Sequence, residues 1–174
     1  MRISLLAFPL LVGTFLLTCR QDCESILGQQ KRTGVSVIQL VDRVSSSCHL
    51  ELRLALPDIK LVQVVHVTGP ESTEEACEAA HEVDAILLDS GNSQAAVKEL
   101  GGTGRVHNWS ISARIREAID KPVFLAGGLL AENVREAVEQ VRPFGLDVCS
   151  GVRTDGGLDQ GKLQAFFGAI AMTD

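Results

Sequence analysis

The segment Pro122–Val134, PVFLAGGLLAENV, joins a short apolar run to a helical pattern through two adjacent glycines. Residues 122–126, PVFLA, read as a buried strand, and ENVREAVEQV, from Glu132 to Val141, reads as an amphipathic helix. The glycine pair at the junction has two readings. Glycine allows a tight turn and positive φ at little steric cost. Glycines at a strand end, just before a helix N-terminus, also let backbone N–H groups close on a phosphate that the helix dipole favours.

The same alternation continues on both sides. Downstream lie a strand, LDVCS (146–150), and a closing helix, LDQGKLQAFFGAI (158–170). Upstream, AILLDS (85–90) is a strand ending in a carboxylate, and a long glycine-containing connection, 91–108, separates it from a helix over about Trp109–Ile119. STEEACEAAHEV (72–83) is a helix in which Ser72, three residues before Glu75, forms a capping box. Before it come the strand KLVQVVHV (60–67), a helix from about Cys48 to Leu56 ended by Pro57, and the strand VSVIQLV (35–41). A helix over about Cys23–Arg32, with Asp22 as cap and Gly34 as stop, follows the first strand, LLVGTFLLT (10–18). Strict strand–helix alternation defines an α/β protein with a parallel sheet covered by helices, and residues 1–174 are expected to form one domain. Periodicity fits both an open doubly wound sheet and a closed eight-stranded barrel.

The 174 residues, 45% hydrophobic and 22% charged, suffice for a sizeable core. A net charge of −6 without a Lys/Arg block argues against a nucleic-acid surface and favours small-molecule partners. Five cysteines, Cys19, Cys23, Cys48, Cys77 and Cys149, show no metal-binding spacing and read as reduced thiols, which points to the cytoplasm. The N-terminal run MRISLLAFPLLVGTFLLTC also resembles the start of a secretory signal, and an exported lipoprotein anchored through Cys19 is the alternative if residues 1–18 act that way. The strand reading is favoured because the alternation needs it, so no membrane partner is expected.

Ligand sites in parallel α/β folds lie at the carboxyl ends of the strands. Four features gather there: Asp89 and Ser90; the loop Gly101, Gly102, Thr103 and Gly104; the pair Gly127 and Gly128; and CSGVR, Cys149 to Arg153. Asp89 is the acid–base candidate, because a carboxyl at the mouth of an apolar strand is partly desolvated; a cap for backbone amides is the competing role. Asp42 and Asp147 are further carboxylates on this rim. His66 reads as a core group, His49 and His81 as solvated helix positions, and His107 as a residue near the site. No histidine pair has metal-ligand spacing, so neither metal nor cofactor is expected.

DAILLDS, then GGTG with a tryptophan five residues after its last glycine, then PVFLAGGLLAENV, then GLDVCSGV followed by DQGKLQAFF, resemble phosphoribosylanthranilate isomerases. The resemblance is close from Val83 to Phe167 and looser upstream, where VGTFLL and VIQLVD look like the family's third and fourth strands. It implies a (β/α)8 TIM-type barrel, here incomplete, with six units and without the first two. It also implies a cofactor-free Amadori isomerisation of N-(5-phosphoribosyl)anthranilate in tryptophan biosynthesis. Asp89 would be the general acid, Gly127, Gly128, Ser150 and Gly151 would hold the substrate phosphate, and Gly101, Gly102, Thr103 and Gly104 would form a substrate loop. IQLVD, RVHNW and CSGVR depart from the family's VQLHG, FDW and SSGVE, and Arg153 would add a charge to the phosphate site. The family's lysine-isoleucine-cysteine-glycine motif, whose cysteine is the general base, is not found in these residues. A non-catalytic sugar-phosphate-binding module is the alternative. Two apolar sheet edges would favour self-association.

Overall fold

The computed structural model describes residues 12–90 and 107–171. The strand–helix order read from the sequence is present throughout them. Six parallel strands, β1 (Phe15–Thr18), β2 (Val37–Leu40), β3 (Lys60–His66), β4 (Ala85–Asp89), β5 (Val123–Leu125) and β6 (Gly145–Leu146), lie in one sheet in strict chain order. The register runs Phe15↔Val37, Val37↔Lys60, Val62↔Ala85, Ile86↔Val123 and Phe124↔Gly145. A doubly wound sheet reverses its strand order at a switch point. No reversal occurs here, so the sheet curls as an incomplete TIM-type barrel of six units, with β1 and β6 as its edges.

The helices are α1 (Cys23–Thr33), α2 (Ser46–Ala55), α3 (Ser72–Ala80), α4 (Trp109–Ala118), α5 (Val134–Val141) and α6 (Gln160–Ile170). Strand alternation sorts the apolar residues into two layers. Ile38, Leu40, Leu61, Val65, Ile86, Leu88, Val123 and Leu125 face the helices and join Ile26, Leu52, Ala76, Ile115 and Val134 in the main core. Val41, Val62, Val64, Ala85, Leu87 and Ala126 form a smaller cluster on the opposite, concave face.

Local signals account for several boundaries. Asp22 Oδ1 accepts from Ser25 N at 2.8 Å to start α1, and Gly34, at φ 65°, donates to Gln30 O at 2.8 Å to end it. Other elements differ from the sequence reading. Ser72 is not a cap, because turns from Gly69 and Pro70 start the helix earlier; its buried hydroxyl accepts from Thr68 N at 3.1 Å and donates to His66 O at 3.3 Å. The last strand is only two residues long, and Ser150–Val152 form a 3-10 turn instead of extending it. A hairpin of β7 (Arg153–Thr154) and β8 (Gly157–Leu158) precedes α6; Asp155 and Gly156 at its tip have φ 51° and 77°, the signature of a two-residue hairpin turn. His49 is buried rather than solvated.

Leu88 is fully buried between β4 and the helices. Leu88→Ala should destabilise the fold by about 2–5 kcal/mol, read as a lower urea midpoint.

Candidate active site

Asp89 is the last residue of β4 and stands in register with His66, the last residue of β3. Alternation from Ala85 and Leu87, and from Val62 and Val64, places both on the concave face at the carboxyl rim. The strand end is held from both sides, since Val67 N donates to Asp89 O and Ala126 N to Leu88 O, each at 2.8 Å. Asp89 is 8% exposed, and its Oδ1 accepts from Ser90 N at 2.7 Å. His66 is equally buried and, among the described residues, neither ring nitrogen has a hydrogen-bond partner.

The glycines after β5 are required by the backbone. Gly127 has φ 85°, and a Cβ there would lie 2.6 Å from Ser90 Oγ and 2.7 Å from Ser90 N. Gly128 follows at φ 65°. Asn133 fixes the loop at two points, donating from Nδ2 to Gly128 O at 2.9 Å and accepting from Leu130 N at 2.8 Å. Sequence reasoning missed this residue, although an asparagine just before a helix is a cap signal. Gly151 packs its Cα against the Leu129 carbonyl oxygen, leaving no room for a side chain.

These contacts bring Asp89, Gly127, Gly128, Asp147, Cys149 and Ser150 around one cleft of about 50 Å³. Gly151 abuts it through Leu129. Among the described residues, the amides of Gly127, Gly128, Ser150 and Gly151 donate no hydrogen bond, which leaves them available to an anion. Arg153 lies outside the lining, on the hairpin, and donates from its guanidinium to Gly156 O at 3.2 Å. Gly101, Gly102, Thr103 and Gly104 lie outside the described residues. Asp42, beyond β2, is buried and is not part of the lining.

Two titratable groups surround Asp89. Partial burial raises the Asp147 carboxyl above the usual range, and the Asp89 charge adds to the shift even though one side of Asp147 opens to solvent. Burial pushes the His107 imidazole down to about 4, against the pull of Asp89, so the ring is neutral near pH 7. His107 Nε2 is 2.6 Å from Ser112 Oγ, which holds the ring against α4. The cleft thus combines carboxyl groups able to exchange a proton with backbone amides suited to an anion. Among the described residues, no group of three or more His, Cys, Asp or Glu side chains is placed to hold a metal, and no helix is long and apolar enough to cross a membrane.

The His107 shift makes stability depend on pH. An imidazole in the unfolded chain titrates near 6.5, whereas the folded one stays neutral down to about 4. Acid therefore protonates the unfolded chain first; stability is full above pH ~6.5 and falls as pH drops towards 4, by an amount on the order of 3 kcal/mol. The buried His49, also shifted down, acts in the same direction, while the raised Asp147 acts in the opposite one. Urea midpoints measured from about pH 7 to about pH 4.5 should fall, and His107→Gln should flatten that fall. Equal slopes in the two proteins would show that His107 carries no linkage.

Comparison with known proteins places this geometry. Residues 7–169 match the family model described as N-(5'phosphoribosyl)anthranilate (PRA) isomerase. N-(5'-phosphoribosyl)anthranilate isomerase 2 of Methanosarcina mazei is 38% identical over 149 residues, covering 86% of this chain, and the chain spans about two thirds, 65%, of that relative's length. Phosphoribosyl anthranilate isomerase from Thermotoga maritima superposes with a TM-score of 0.78 at 26% identity, over 95% of this chain and 76% of that one. Another solved phosphoribosyl anthranilate isomerase, in complex with reduced 1-(o-carboxyphenylamino)-1-deoxyribulose 5-phosphate, superposes with a TM-score of 0.76 at 24% identity, over 95% and 75% of the two chains. Sequence match and barrel geometry together make this chain a member of the N-(5'-phosphoribosyl)anthranilate isomerase family.

Proposed function

We propose that the protein acts in tryptophan biosynthesis as an isomerase of N-(5-phosphoribosyl)anthranilate, with the cleft at the carboxyl rim as its active site. The observation that carries this reading is the meeting of Asp89 with the Gly127–Gly128 loop and Ser150 in one cleft of a chain from this family. The compound bound to the solved relative has a phosphate ester at one end and a carboxyphenylamino group at the other. A phosphate seated on the amides of Gly127, Gly128, Ser150 and Gly151 would set the ribose beside Asp89.

Asp89 then serves as the general acid. Its proton passes to the ribose ring oxygen as the C1–O bond breaks, and the nitrogen lone pair forms the C1–N double bond. Loss of the C2 proton to a base moves the electrons through C1 to nitrogen, giving an enol that becomes the ketose. A positioned acid of this kind contributes typically ~10²- to 10⁴-fold. Arg153 adds a cation near the phosphate loops if its side chain leaves Gly156 O.

A second reading is a sugar-phosphate-binding module without turnover, which draws on the amides of Gly127, Gly128, Ser150 and Gly151, suited to an anion whether or not chemistry follows. A cytoplasmic location is our reading from the five free thiols. We also propose self-association through the open side of the sheet. Phe15 and Leu17 on the β1 edge are 44% and 59% exposed, and with Phe124 and Leu146 they line an apolar hollow on the concave face.

Asp89→Asn should lower isomerase turnover by roughly 10²-fold or more while phosphate-ester affinity changes little. Unchanged turnover would remove the acid role, and phosphate-ester binding without turnover in the unaltered protein would favour the binding module. Sedimentation should show a concentration-dependent oligomer. A monomer at every concentration would mean that the hollow is covered within the chain.

A further inference from the structure

Away from the cleft, two cysteines meet in the core. Cys23 is the first residue of α1 and Cys48 lies in the first turn of α2, and these two helices pack against each other. Both are free thiols, 9% and 5% exposed, within the main apolar cluster. Their side chains are in hydrogen-bond contact. Neither lines the cleft beside Asp89.

The helix starts hold the pair in place. Asp22 caps α1, and Ser45 caps α2 by accepting from Cys48 N at 3.3 Å. A disulfide needs its sulfurs about 2 Å apart and its Cβ atoms about 3.8 Å apart, which two thiols already in contact reach by a small shift of two adjoining first turns. The two thiols are not equivalent. Burial pushes Cys23 up to about 12, with further contributions from Cys48 and Glu51 beside it. Burial also raises Cys48, but there the hydrogen bond with Cys23 opposes the shift. A thiolate therefore forms more readily at Cys48, at the positive end of the α2 dipole, while Cys23 keeps its proton.

We propose that Cys23 and Cys48 are a redox-active dithiol, oxidised by hydrogen peroxide to a disulfide that staples α1 to α2. The Cys48 thiolate attacks one peroxide oxygen; the O–O bond breaks, hydroxide leaves and takes up the proton that Cys48 released, and Cys48 becomes a sulfenic acid. The Cys23 sulfur then attacks the Cys48 sulfur. The S–S bond forms, the S–O bond breaks, and the hydroxyl departs as water with the Cys23 proton. Two electrons pass from the sulfurs to the peroxide, which ends as two waters. The cross-link restricts the unfolded chain between residues 23 and 48, so it stabilises the fold and ties the β1 edge unit to its neighbour. Burial keeps the first step slow, and a thiol reductant reverses the bond.

The test is peptide mapping by mass spectrometry of the folded full chain, treated with hydrogen peroxide and then with iodoacetamide. A peptide pair linked through Cys23 and Cys48 should appear, in a chain two hydrogens lighter than the reduced one. The melting temperature should rise by roughly 5–10 °C and return with dithiothreitol. In Cys23→Ala that rise should vanish, and dimedone should label Cys48 as the trapped sulfenic acid. Oxidation confined to Cys19, Cys77 and Cys149, a Cys23–Cys48 link that leaves the melting temperature unmoved, or a folded Cys23→Ala without a dimedone adduct at Cys48 would each overturn the proposal. If Cys23→Ala does not fold, the linked peptide in the unaltered chain decides: its presence with the thermal shift supports the dithiol, and its absence overturns it.

Discussion

Close backbone contact at the carboxyl rim is the constraint on which the site depends. Gly127 presses against the Ser90 amide, and Gly151 presses against the Leu129 carbonyl. Each contact needs the absence of a Cβ, and each ties the end of one strand to the loop after a neighbouring one. A methyl group at either position would separate the β4 end, the β5 loop and the turn at Ser150, and with them the lining of the cleft. The two explanations for the glycine pair are therefore not alternatives. The steric requirement packs the loops together, and packed loops whose amides donate no hydrogen bond among the described residues are the arrangement the proposed anion site calls for.

Asp89 gains its position from the sheet, not from that packing. Hydrogen bonds on both sides of the β4 terminus fix its backbone, and the side chain is directed inward by parity along the strand. Its surroundings then divide the labour among titratable groups. His107 is kept neutral by burial, the Asp147 carboxyl is raised above its ordinary value, and the Ser90 amide fixes the Asp89 side chain at the rim.

The parts of this arrangement visible in the sequence are those set by local chemistry. Asp22 and Gly34 delimit α1 through a side-chain cap and a positive φ, and both are signals carried by single residues. The carboxylate at the end of AILLDS and the glycines after PVFLA are legible because strand ends and turn residues fall at fixed offsets. Tertiary contacts hide the rest. Ser72 has a capping-box pattern, yet its hydroxyl is drawn to His66 O and Thr68 N by the packing of α3 against β3. His49 reads from the sequence as a solvated helix position, yet it is buried where α2 approaches Gln63 of β3 and residues of α3. β6 is only two residues long, and Gly145 at its start lies against the Phe124 ring, a contact with no trace in the residues of LDVCS. The Asp155–Gly156 turn is the opposite case, a local signal present in the letters and passed over beside the stronger helix that follows.

The strict chain order of the sheet also has a kinetic side. Among the described residues, every strand of the six-stranded sheet is hydrogen-bonded only to its neighbours in chain order, so no pairing between them waits for a distant part of the chain. Loop closure is then needed over one unit at a time, which keeps its entropic cost small and favours stepwise assembly along the chain. Growth or loss of a unit at either edge leaves the register of the others intact, because each described strand pairs with its neighbours in chain order. An architecture of this kind can vary its length without rethreading, but not equally at its two edges: the residues after β6 line the cleft beside Asp89, whereas β1 lies three strands away from it.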